Sequence, residues 1–422
     1  MQGLSTQLSF KSRNELVLYG IFSSILLGLL FSRFLLSIGM IALLLHSILQ
    51  NDLLAKLKLF TKAWPYLMLT GVFFLCAISY VNSENTPYFL DRMRIRLPFL
   101  ILPISFYLNE YINVKNVYRI LYTLLVLIFG ICLILTIQYS LNPSYYNQLY
   151  EVGKTLPTPI HHIRFSLLVN IAIVGGLFIN FKNIYLFHKY EKYFRLVMIT
   201  FLIIFLHLLA VRSGLLALYP ILLHTVIYYI VIKKKWIQGV VLLFMIPILG
   251  YIGYNHIPTI KNKVGYTLYS IDKFWAKDNI RDLSDSRRIG SILAGIDIGN
   301  KNPLTGVGIG DIQEETNKYL VENYPALKGL NLLPHNQYIY FYATMGIIGL
   351  IMFIVLTLGP ILFYKAYLDY YFIALQLIGI SSFMVEHTIE TQLGTAIYLL
   401  FFLLSLNYLR LASLNHNKPA NA

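Results

Sequence analysis

Charge is scarce in this 422-residue chain: only 13% of its residues are Asp, Glu, Lys or Arg, about half the share expected of a soluble protein this long. Cysteine is scarcer still. Cys76 and Cys132 are the only two, and both lie inside apolar blocks, which excludes a disulfide framework or a cysteine-based metal site. The alternating pattern of barrel strands is missing, and the apolar runs are too long and continuous for a membrane β-barrel. No small-residue cleavage site follows the first apolar block, which Lys11 and Arg13 precede. That block is therefore expected to be a spanning helix and not a signal peptide.

What the chain has in abundance is apolar residues, 57% of the total, with a mean hydropathy of +0.64. They fall in blocks of about 20, the length that crosses ~30 Å of hydrocarbon as a helix. The blocks lie near 15–32, 33–50, 63–82, 95–110, 117–139, 160–181, 194–211, 213–232, 236–254, 335–362, 367–385 and 393–411. The expected fold is all-α: a polytopic membrane protein of about twelve spans. A formal net charge of +15 would suggest nucleic acid in a soluble protein. In a membrane protein it reflects Lys and Arg retained in cytoplasmic loops, so no nucleic-acid partner is expected. With the N-terminus inside, 17 of the 34 Lys and Arg fall on the cytoplasmic side and 7 in the short opposite loops. Both termini are therefore expected in the cytoplasm.

Residues 255–334 break the pattern. They form a loop of about 80 residues on the outer side, dividing the chain into spans 1–9 (1–254), the loop (255–334), and spans 10–12 with a cytoplasmic tail (335–422). Loops this long tend to be functional. Ile289, Ile292, Leu293 and Ile296 recur at helical spacing and predict one apolar helix face within it. "NPLTGVGIGD" then ends that helix. Its G-x-G-x-G follows a helix with no βαβ unit around it, which excludes a dinucleotide-binding reading.

Polar residues gather at the outer helix ends under this topology: His161, His162 and Arg164, Arg212, Arg287 and Arg288, His335 and Asn336, and Glu386, His387 and Glu390. Singly, each has an ordinary explanation, such as headgroup anchoring for Arg212. Arg164, one turn inside an apolar helix, must snorkel, pair or line a polar cavity. Glu386 and Glu390, spaced i, i+4, share a face if their turn is helical, and are expected to pair with arginines. Glu-His-x-x-Glu has no specific metal geometry behind it, so no metal is expected. Together, arginines suit a phosphate or pyrophosphate, and a neutral imidazole beside them suits general-base work near pH 7. That combination points to glycosyl transfer from a lipid-pyrophosphate sugar.

The stretches "RSGLLAL", "SRRIGSILAGIDIGNKNPLTGVGIGD", "PHNQYIYFYATMGIIGL" and "MVEHTIETQLG", in that order and with a long loop before the His-Asn helix, resemble the O-antigen ligase/polymerase superfamily of bacterial membrane glycosyltransferases over roughly residues 160–410. The resemblance implies a GT-C-like helical fold with a large periplasmic loop in the Gram-negative inner membrane. It also implies metal-independent, inverting transfer of an undecaprenyl-pyrophosphate-linked glycan, without a cofactor, in the periplasmic leaflet. In it, His335 takes the position of the catalytic base. Arg288 (with Arg287 adjacent), Arg212 and, in some members, Arg164 take those of pyrophosphate ligands. Asn336, Glu386, Glu390 and Tyr338 are carried over as supporting residues. The expected activity is an O-antigen ligase with a lipid A–core acceptor and membrane lipids as surroundings. A polymerase or a protein O-oligosaccharyltransferase would use the same donor. A lipid-linked glycan transporter would instead need ionisable residues near the midplane and paired broken helices.

Overall fold

The computed structural model describes residues 12–185 and 188–416, among which no strand is present. Lys11 and the tail 417–422 lie outside the described residues. The first half contains α1 (Arg13–Phe31), α2 (Arg33–Ile48), α3 (Leu53–Phe60), α4 (Trp64–Ile78), α5 (Thr86–Leu108) and α6 (Val114–Leu141). It continues through α7 (Pro143–Glu151), α8 (His162–Phe181), α9 (Glu191–Leu209), α10 (Arg212–Ile227) and α11 (Trp236–His256). Three helices form the long connection, α12 (Pro258–Trp275), α13 (Ser284–Lys301) and α14 (Ile312–Asn323). Then follow α15 (Gln337–Leu358), α16 (Tyr370–Val385) and α17 (Gln392–His416).

Each of the twelve apolar blocks falls on one of these helices, but not all twelve qualify as spans. Nine helices among the described residues are long and apolar enough to cross a bilayer, and a tenth counts if α2 and α3, bent by 109°, are one span. The shortfall has local causes. α5 carries Asp91, Arg92, Arg94 and Arg96 in its first half, and α16 is only 16 residues long.

Helix ends follow from short polar side chains that accept from unpaired backbone N–H groups. Ser32 closes α1 and caps α2 by accepting from Leu35 N, so one residue turns the chain between two spans. Asn85, Asn113, Asn336 and Asp369 cap α5, α6, α15 and α16 in the same way. α8 is the central helix, buried on nearly all sides, and packs against α6, α9, α10 and α16. Its all-round apolarity is what a fully enclosed helix requires.

The helices of the long connection have a small core of their own, built from Phe274, Ile280, Leu320 and Leu327. α13 departs from its expected amphipathic face. Ile289 and Leu293 are only partly buried, against that small core, and Ile296 is 39% exposed. The buried face is instead Ser291, Ala294, Gly295, Ile298 and Gly299. The reason is close approach: a Cβ on Gly295 would fall 2.7 Å from Ile339, and one on Gly299 2.4 Å from Tyr342, both on α15. Small residues let two helices approach where a row of isoleucines would hold them apart.

The glycine loop after α13 is a clamp. Gly306 adopts φ +65, and Val307 N and Gly308 N donate to Ala343 O and Thr344 O at 3.0 and 2.8 Å. α15 is broken at this point, at Gly346 (φ 64), whose neighbour Ile347 donates to Pro303 O at 2.8 Å. Further along the loop, Asp311 accepts from Glu84 N and Asn85 N, both at 2.9 Å. These bonds fasten the long connection to α15 and to the start of α5, and so fix α13 over the end of the bundle.

Candidate active site

The first turns of α8, α10, α13 and α17, together with the segments preceding α15 and following α16, enclose a cavity of about 490 Å³. Six cationic side chains line it: Arg33, Arg164, Arg212, Lys263, Arg287 and Arg288. Glu386 is the carboxylate on its wall, and His161, His162, His335 and His387 are its imidazoles. So strong an excess of positive charge in a partly enclosed space favours an anion.

Each cation has a distinct setting. Ala210, left-handed at φ 49, ends α9 and turns the chain so that Arg212 opens α10. There Arg212 pairs with the buried Asp285 of α13. Arg288 donates to Glu386 Oε1 at 2.8 Å. Arg287, its neighbour, turns to the outer edge, where its Nε donates to Arg281 O at 2.6 Å and Asp282 lies at 3.6 Å. The geometry thus separates the two adjacent arginines, with Arg288 facing the imidazoles. Arg164, one turn into α8, is 6% exposed, and its buried Nη1 has no hydrogen-bond partner in the protein. An unsatisfied guanidinium N–H in such a place calls for an acceptor. Lys263 of α12 donates to Gly153 O at 2.8 Å. Burial, with Arg212 and Arg288 nearby, pulls its pKa down to about 8, against the opposing effect of Asp285.

His335 precedes α15 and is held by α13. Its Nδ1 lies 3.0 Å from Leu333 O and 3.0 Å from Ser291 Oγ. A carbonyl oxygen can only accept, so Nδ1 carries the proton and Nε2 is left with its lone pair. Burial is the largest influence on this imidazole and lowers its pKa. Glu386 opposes that effect, and Arg288 and Arg164 add to it. The ring is therefore neutral at pH 7, with one basic nitrogen. His387 meets it edge-on, with ring centroids 4.8 Å apart. Burial and the charges of Arg164, Arg288 and Arg92 push its pKa well below the ordinary value. His161, stacked on His162 at 4.3 Å, is also shifted down, by burial and Arg164.

The structure therefore brings His335, Arg288, Arg212, Arg164, Arg287 and Glu386 into one cavity and leaves three expected supporting residues outside it. Asn336 is a helix cap, accepting from Tyr338 N and Ile339 N and donating to Met384 O. Tyr338 packs edge-on against Phe353 and Phe383. Glu390 points away from Glu386. The chain is extended at Glu386 (φ −148, ψ 152) and forms a short 3-10 turn at Thr388–Glu390, so the i, i+4 face does not exist. Each glutamate pairs with its own arginine, Glu386 with Arg288 and Glu390 with Arg96.

Arg33, Lys263, Ser291 and Asp285 escaped sequence reasoning. Arg33 looks like an ordinary flank between two spans, and Lys263 like any loop lysine. Ser291 lies three residues beyond Arg288 on α13, a spacing that puts both on one helix face and was the one available signal. His335, Glu386 and His387 each bring a ligand-type atom within 4.8 Å of the others. A divalent cation there would face the surrounding arginines while competing with Arg288 for Glu386, so the arrangement suits an anion better than a metal.

A family model described as O-antigen ligase matches residues 196–354. That span runs from α9 into α15 and contains Arg212, Lys263, Arg287, Arg288, Ser291 and His335. Arg33, Arg164, Glu386 and His387 lie outside it. No curated protein matches the chain significantly.

Proposed function

As a member of the O-antigen ligase superfamily by its residues 196–354, the chain, we propose, transfers O-antigen polysaccharide from an undecaprenyl-pyrophosphate carrier to lipid A–core. The site would face the periplasmic leaflet of the inner membrane, with both termini in the cytoplasm. The coarser statement, a multi-pass membrane enzyme of the ligase/polymerase type acting on lipid-linked glycans, follows from the family itself. The observation that carries the finer reading is His335: a neutral imidazole with a free Nε2 beside a buried, partnerless Arg164 Nη1 and the Arg288 guanidinium.

In this reading Nε2 of His335 takes the proton from the acceptor hydroxyl. The acceptor oxygen bonds to the anomeric carbon from the face opposite the pyrophosphate, and the carbon–oxygen bond to the carrier breaks with inversion. The electron pair leaves with the undecaprenyl pyrophosphate. Arg164, Arg288 and Arg212 stabilise the charge that develops there, as donors already aimed at the leaving group. The His335 proton then passes to water. Glu386 holds Arg288 in place, and Ser291 and Leu333 keep His335 in the reactive tautomer.

The test is lipopolysaccharide made by a strain carrying His335→Ala. The expected product is core without O-antigen, with long glycan accumulating on the carrier. Full-length O-antigen at normal levels from a folded variant would overturn the base assignment. If loss of the protein leaves single repeats on the core instead, the activity is that of a polymerase. Glycan transferred to Ser or Thr of a protein would make it an oligosaccharyltransferase.

A further inference from the structure

A second cavity, of about 660 Å³, lies beside the first, between the first part of α2, the middle of α5 and the start of α17. The two share Arg33, Thr391 and Leu393, so they adjoin along one wall. The interior of the second is apolar, lined by Met40, Ile41, Ile95, Leu97, Pro98 and Ile101. Ile41 and Leu97 are 52% and 38% exposed, so the slot opens sideways between α2 and α5 toward the surface that faces lipid. Gln392 Nε2 donates to Ser37 Oγ at 2.7 Å and braces α17 against α2.

The rim carries Arg33, Arg92 and Arg94. Arg94 pairs with Asp91 at 3.2 Å, and Glu390 on the wall pairs with Arg96 at 2.5 Å. Neither Arg33 nor Arg92 forms an ion pair among the described residues. Arg92 donates to the carbonyl of Glu390 at 3.4 Å and lies over the Tyr88 ring, 4.9 Å from its centroid, while its buried Nε has no hydrogen-bond partner. Two uncompensated guanidinium groups above an apolar slot that opens sideways suit an amphipath with an anionic headgroup, because guanidinium binds phosphate bidentately while the chains remain in an apolar phase.

We propose that this second cavity binds the phosphorylated lipid portion of the acceptor glycolipid, so that donor and acceptor occupy adjoining compartments and meet at the wall of Arg33 and Thr391. The inference rests on the transfer reading above and adds to it a separate acceptor compartment. Arg92 lines only the second cavity, which makes it the residue that separates acceptor from donor binding.

The test uses the full chain in nanodiscs, with Leu97 replaced by a photo-reactive phenylalanine analogue and the lipid-facing Ile204 of α9 replaced likewise as the control. Irradiation with phosphorylated glycolipid, prenyl-pyrophosphate glycan and phosphatidylglycerol together should crosslink the glycolipid at position 97 and not at 204. Crosslinking there to the prenyl donor, or to phosphatidylglycerol alone, overturns the assignment. Kinetically, Arg92→Gln should raise the acceptor KM about tenfold and leave the donor KM and thermal stability within error. Removing the phosphates from the acceptor should erase that difference. A raised donor KM, or an unchanged acceptor KM, sinks the proposal. If the unaltered chain transfers glycan to no glycolipid, the transfer reading itself has failed, and the crosslink alone decides what occupies the cavity.

Discussion

Arg96 and Glu390 face each other at 2.5 Å with both side chains sealed from solvent. Arg96 belongs to α5, outside the family match, and no sequence signal marked it. Its Nη2 also lies 3.3 Å from Tyr340 Oη, while Gln337 Nε2 lies 3.4 Å from the same carboxylate oxygen of Glu390. Gln337 Oε1 in turn accepts from Ile389 N at 3.0 Å. The pair thus pins the 386–390 segment to the start of α15, two residues from His335. Arg96→Met would leave a buried carboxylate with no counter-charge, and breaking such a pair costs about 3–5 kcal/mol. At about 4 kcal/mol the folded-to-unfolded ratio falls by nearly three orders of magnitude. The double substitution Arg96→Met with Glu390→Leu removes both charges, and replacing a whole buried pair by apolar groups is close to neutral. The assay is unfolding of the purified chain in detergent across single and double variants, read as a double-mutant cycle. The double variant should be the more stable by several kcal/mol. If the single substitution costs under about 1 kcal/mol, or the two substitutions simply add, the pair is not the brace described.

Four further outcomes follow from the same geometry. His335 must be neutral to accept a proton, and burial lowers its pKa from the ordinary histidine value. The rate should therefore be flat at neutral pH and fall only as pH drops through that lowered value. Arg288→Gln removes a cation that lowers the pKa and frees Glu386, which raises it, so the acid limb of the pH–rate profile should move upward; an unmoved limb would count against the assignment. Lys263, with its pKa near 8, loses its charge as pH rises through that value, so the donor KM should climb there, and Lys263→Met should abolish the climb while raising KM at pH 7. Gly346→Ala introduces a Cβ 2.2 Å from the Leu304 carbonyl carbon at a residue with φ +64. The cost should exceed ~1 kcal/mol, and hydrogen exchange at Val307, Gly308 and Ile347 should accelerate if the clamp is as described.

Much of the candidate site was legible because the helix ends carried the rare charges of an apolar chain. Arg164, Arg212, Arg288 and His335 stood out for that reason, and all four line one cavity. The misreadings have physical causes too. The isoleucines of α13 gave the stronger periodicity, yet contact with α15 selected the small face through Gly295 and Gly299. Glu386 and Glu390 had helical spacing, but the chain is extended at Glu386, and the two part toward different arginines. Asn336, adjacent to the proposed base, is occupied with capping α15.

Hydropathy depends on composition over a window of about 20 residues, so the all-helical membrane architecture, the long connection between spans and the polar character of the helix ends were set by the chain itself. Which polar residues share one space depends on contacts between positions far apart in the chain. His335 with Ser291 and His387, and Arg96 with Glu390, are such contacts, and Arg33 and Lys263 come to line one cavity in the same way. Only tertiary packing decided them, because helix crossings and the glycine clamp set those distances and no local pattern encodes them.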